Sequence, residues 1–179
     1  MNDTLYPQLK VENVVEAGEF SGYASTDCVD KHGERIVYGA FSKSIAWWKG
    51  KRRYPPILWQ HKQEEVIGCI THMEEVRMAN GRSALRIRGK LLLSLEKAKE
   101  AYILIKSNIV KTLSVGINIK RSKVNSEGVR ELLEVDLREC SVVTDPANEE
   151  AEILEYKSKN AANDILKSAE KVKKLLRQK

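Results

Sequence analysis

The alternation of apolar and polar residues over Val110–Ile119 constrains this chain more than any other feature. Leu113, Val115, Ile117 and Ile119 alternate with Thr112, Ser114, Gly116 and Asn118, the period of a strand with one apolar and one polar face. With the apolar face in a core, Ser114 projects away from it. Gly116, two residues further along the same face, has no side chain to hold another backbone at a distance. A hydroxyl beside bare strand offers a place to lay and attack an extended peptide. A plain strand serine on a solvent face is the competing reading.

The rest of the chain up to about residue 150 reads as short strands, turns and two helices. Leu9–Val15 and Glu19–Ala24 alternate in part, and Asp30–Glu34 has turn chemistry ahead of the apolar pair Ile36-Val37. Phe41–Lys49 places Phe41, Ile45 and Trp48 on one helical face, with Gly50 as its stop. After Pro55-Pro56 comes a compact apolar strand, Ile57–His61. Val66–Val76 and Ser83–Leu93 fit a hairpin turning near Asn80-Gly81, and Ser94 suits the N-cap of a helix running to about Ser107. A polar turn at Ser126-Glu127-Gly128 leads into a long strand, Glu131–Val143, closed by Asp145-Pro146-Ala147-Asn148.

Length allows one domain with a sizeable core, set at residues 1–150, followed by a helix-favouring segment at 151–179 with Ile165, Ala169, Val172 and Leu176 at helical spacing. That final segment carries eight Lys/Arg against four Asp/Glu, so it holds most of the chain's net charge of +6. The body is close to neutral, and a nucleic-acid role for it gains little support. No run approaches the ~18 apolar residues of a membrane span. The start has no secretory layout, and three widely spaced cysteines suit reduced thiols in a cytosol better than a disulfide framework.

Two residues qualify as partners for Ser114. His61 stands where an apolar strand gives way to charge, and a neutral imidazole there could take a hydroxyl proton; a solvated histidine at a strand end is the alternative. His32 and His72 read as solvated. In Glu131–Val143, Glu134, Asp136 and Arg138 share one face, while Val135, Leu137, Glu139, Ser141 and Val143 share the other. Glu139 is thus a carboxylate on an apolar face, where an unpaired charge is costly. An imidazolium would satisfy it, as in acyl-transfer triads; so would Arg86 or Arg88. No His or Cys pair has metal-ligand spacing, and no cofactor is expected.

Several motifs in one order carry a resemblance. Gly22-Tyr23-Ala24-Ser25 is followed by Asp30 and Val37-Tyr38-Gly39-Ala40-Phe41, then by Ile57-Leu58-Trp59-Gln60-His61 with Ile67-Gly68. Leu113-Ser114-Val115-Gly116-Ile117 comes next, and Glu134–Val143 with Pro146-Ala147-Asn148 ends the series. Through most of residues 20–151 the chain resembles the prohead proteases of HK97-type tailed phages, distantly similar in fold to herpesvirus assembly proteases. Tyr38, Cys140 and Asp145 depart from the family pattern.

The resemblance implies a mainly β, α+β fold: a compact β-barrel of the herpesvirus-protease type with a few helices, plus a C-terminal helical tail. It implies a serine endopeptidase with Ser114 as nucleophile and His61 as base, and Glu139 matches the acidic position of the last motif. Expected substrates are scaffold, or a scaffold-like part of the capsid protein, and the enzyme itself, inside the procapsid in the host cytoplasm. A homo-oligomer is expected, without membrane or nucleic acid. In this setting the tail is a cleavable or scaffold-targeting segment, or a helix packed on a neighbouring copy. A non-catalytic module that binds capsid or scaffold is the rival from another class.

Overall fold

The computed structural model describes residues Gly18–Tyr156. The strand expected at Leu9–Val15 and the helix expected around Ile165–Leu176 lie outside them. In chain order the elements are β1 (Glu19–Thr26), β2 (Glu34–Ile36), α1 (Ser42–Gly50), β3 (Pro56–Trp59), β4 (Lys62–Arg77) and β5 (Ser83–Leu91), followed by α2 (Glu96–Lys106), β6 (Thr112–Val124), β7 (Arg130–Val143) and β8 (Ile153–Tyr156). The architecture is mostly β with two helices among the described residues, and all eight strands form one sheet.

β7 is the strand around which the sheet is organised. Along one edge it pairs antiparallel with β6 from Thr112↔Val143 to Val124↔Arg130. Its other edge is shared by two parallel partners, β2 at Arg130–Leu132 and β3 at Cys140–Val142. From β3 the sheet continues through β4, β5 and β1 to β8. Buried Ile57, Ile67, Ile70, Met73, Leu85, Ile87, Leu113, Leu137 and Val142 fill the space it curves around. Helix α1 sits on β7: Trp48 Nε1 donates to Leu137 O at 2.9 Å, and Leu137 N–H donates to Ser44 Oγ at 2.9 Å.

A closed barrel was expected, and the sheet does not close into one. β8 has only four residues, and among the described residues the segment leading into it meets the start of β6 through the isolated bridge Thr112↔Glu152, flanked by bonds from Leu113 N to Ala151 O (2.9 Å) and Ile153 N to Lys111 O (2.7 Å). This approach needs Gly22 in β1. A Cβ there would collide with Glu152 O and lie 2.9 Å from Ile153 Cα.

Two local expectations also shift. The cap of α2 is Leu95, without a side-chain cap bond, because Leu95 N–H already closes a turn on Leu92 O at 2.9 Å and Ser94 is spent inside that turn. The apolar strand expected to reach His61 stops at Trp59, with Trp59 paired to Lys62, so Gln60-His61 is a two-residue hairpin turn.

Gly22→Ala is expected to lower stability by about 1–3 kcal/mol through overpacking, seen as a lower urea midpoint at unchanged m-value. An unchanged midpoint would mean that the β1–β8 contact has slack.

Candidate active site

A slip in strand register decides which way the key carboxylate points. Gly116 pairs with Glu139 but Ile117 pairs with Leu137, so β7 holds one extra residue, Arg138, as a bulge. On the core side β7 contributes Leu132, Val135 and Leu137 before the bulge, then Cys140 and Val142 after it. Side-chain parity therefore flips. Strict alternation put Glu139 and Ser141 on the face of Val135 and Leu137; the bulge moves them to the opposite face. There they stand beside their cross-strand partners Gly116 and Ser114.

Glu139 is nonetheless buried, at 3% exposure, because the β3–β4 turn folds over it. His61 Nδ1 lies 2.6 Å from Glu139 Oε1, and Ser141 Oγ donates to Glu139 Oε2 at 2.7 Å. The same Ser141 Oγ accepts from His61 N–H at 3.1 Å. The arginine alternative is not realised: Arg86 and Arg88 are exposed on β5. Gly116 also has a different use from the one expected. A Cβ at 116 would collide with Glu139 Oε1 and sit 2.9 Å from Cγ and Cδ, so the bare position houses the carboxylate, not a visiting backbone.

The turn holding His61 is strained. Gln60 and His61 both have positive φ, 55° and 59°, which two-residue turns of this kind require but side chains other than those of Gly, Asn and Asp resist. Such a conformation costs on the order of 1–3 kcal/mol per residue and persists only where the surroundings impose it. Here β7 imposes it: Gln60 N–H donates to Val142 O at 3.0 Å, Thr144 N–H to Gln60 Oε1 at 3.3 Å, and His61 N–H to Ser141.

An ionised carboxylate only accepts hydrogen bonds. Nδ1 therefore carries a proton, and in the neutral ring Nε2 is left as the basic nitrogen. The bond to Glu139 raises the His61 pKa above the ordinary histidine value, with the carboxylate's charge adding to it and partial burial opposing.

Ser114, on β6, is mostly buried, and its hydroxyl makes no hydrogen bond among the described residues. It lines a cleft of about 380 Å³ together with His61. Ala24, Ile36, Ile117 and Leu132 give the cleft an apolar wall, while Asp30, Lys31 and Asp145 give it a charged rim. Lys31 pairs with Asp145 across that rim, so the acidic departure from the family pattern is neutralised locally. His32 lines the cleft as well, whereas His72 lies 3.8 Å from Glu74 on an exposed strand face. Ser141 was missed as a site residue. Its only sequence signal is a serine two residues from a buried acid.

A family model described as caudovirus prohead serine protease matches residues 7–165. Over 109 residues the sequence is 35% identical to the capsid polyprotein of Pseudomonas phage PAJU2. That match covers 58% of this chain and 16% of the polyprotein, so the chain corresponds to a small part of that relative's length.

Glu139→Gln is expected to return the His61 midpoint in an NMR titration toward 6.5. A group whose folded-state pKa is raised stabilises the fold fully below its unfolded value and loses that contribution as pH rises through the folded value. The parent's stability relative to Glu139→Gln should therefore shrink with rising pH across that window. A difference independent of pH would contradict the raised His61 pKa.

Proposed function

Because this chain belongs to the caudovirus prohead serine protease family, we propose that it is a serine endopeptidase of phage capsid maturation in which Ser114, His61 and Glu139 perform the chemistry. One observation carries the reading: a buried carboxylate bonded to the Nδ1 side of an imidazole, with Ser114 lining the same cleft as that ring. Ser114 Oγ attacks the scissile carbonyl while His61 Nε2 takes the hydroxyl proton. The proton then goes to the leaving amine, and water releases the acyl group by the same route in reverse. Glu139 holds the tautomer and stabilises the imidazolium that forms.

The substrates of this reading are scaffold, or the scaffold-like region of a capsid protein, and the enzyme itself, cut inside the procapsid. Kinship with part of a protein named capsid polyprotein supports the capsid connection. From Ser114 onward the outer edge of β6 pairs with no strand among the described residues. That leaves an edge to which an extended peptide can add. Within this reading residues 1–150 are the protease domain. Residues 151–179 contribute a basic segment that is cleaved or that directs the enzyme to scaffold, and copies of the chain associate.

Mass spectrometry of the purified full chain tests the proposal. Truncation in the parent and its loss in a folded Ser114→Ala variant are expected; equal truncation in both would remove Ser114 from the mechanism. The rate should rise with pH through the raised His61 pKa, since the base must be neutral. Glu139→Gln should move that limb to lower pH and lower the rate by about 10⁴-fold, the effect of losing the orienting acid in a triad.

A further inference from the structure

We propose that Ser141 is a positioning residue of this site: one hydroxyl, bonded at once to the Glu139 carboxylate and to the His61 backbone, fixes the rotamer of the acid and the turn that carries the base. The proposal rests on the reading of Ser114, His61 and Glu139 given above and adds a fourth group to it.

The geometry leaves little else to do this work. A serine hydroxyl has one proton to give and lone pairs to receive. Ser141 gives its proton to Glu139 Oε2 at 2.7 Å and receives the His61 N–H at 3.1 Å. Among the described residues Glu139 has two side-chain donors, His61 on one oxygen and Ser141 on the other. On the remaining side Gly116 supplies space and no contact that could steer the carboxylate. Without Ser141, Oε2 would have no partner in a pocket sealed from water, and the carboxylate could rotate away from Nδ1.

The backbone bond matters separately. The Gln60-His61 turn is held in left-handed conformation at both residues, and such a turn relaxes when its anchors are cut. Ser141 anchors the residue that carries the imidazole, whereas Val142 O and Thr144 N hold the preceding one. Ser141 is also the cross-strand partner of Ser114 and the parallel neighbour of Leu58 in β3. It therefore stands between the strand bearing the hydroxyl and the strand leading into the imidazole. Fully buried, it has no route to substrate, so its action runs through its two partners.

The test uses the full chain carrying Ser141→Ala, Ser141→Cys or Ser141→Thr. Alanine removes the donor, and cysteine keeps the approximate size with a weak donor in case the alanine variant folds poorly. Threonine retains the hydroxyl. Two readouts are taken: the His61 titration by NMR in a Ser114→Ala background, and the self-cleavage rate by intact mass. Ser141→Ala and Ser141→Cys are expected to bring the His61 midpoint down toward 6.5 and to slow cleavage about 10- to 100-fold, the range that a displaced supporting group costs. Ser141→Thr should restore both. A His61 midpoint that stays at or above the parent value in the folded alanine or cysteine variant overturns the proposal. The titration does not depend on turnover. Persistent cleavage by Ser114→Ala alone would instead strike at the underlying site reading, so the two failures are told apart.

Discussion

The site depends on one buried carboxylate. A carboxylate taken from water and left without partners is costly, and Glu139 has a partner on each of its oxygens. Gly116 gives it room, Ser141 binds one oxygen and His61 the other. The strain of a left-handed Gln60-His61 turn is the cost of bringing the imidazole over it. Each of these features has little purpose without the carboxylate. In the neutral ring they leave Nε2, the nitrogen not bonded to the acid, as the basic one.

Much of this was legible in the sequence, and the exceptions have physical causes. Alternation located β6 and β7, helical spacing located α1 and α2, and an acid on a patterned strand singled out Glu139. The face assigned to Glu139 was wrong because period-two reasoning assumes an unbroken ladder, and the bulge at Arg138 flips parity between Leu137 and Cys140. No residue type announces that bulge; Arg138 is an ordinary surface arginine. The turn at Gln60-His61 was likewise hidden, because it lacks the Asn-Gly or Asp-Gly chemistry that usually marks a two-residue hairpin. Tertiary bonds from β7 supply what local propensity withholds.

Gly116 shows the same limit from another side. A glycine in a strand signals close approach by some other group, and the sequence could not say which. The answer is a side chain from the neighbouring strand: the bare position makes room for the Glu139 carboxylate. The order of motifs along the chain was more informative than any one of them. It led to the family that the matched model over residues 7–165 establishes.

The proposed chemistry requires an activated hydroxyl at Ser114. Treating the full chain with a fluorophosphonate and mapping the adduct by mass spectrometry tests this most directly. A single modification on Ser114, formed faster as pH rises and abolished in His61→Ala, is the predicted result. Modification of a different serine, or labelling of Ser114 at the same rate without His61, would contradict it.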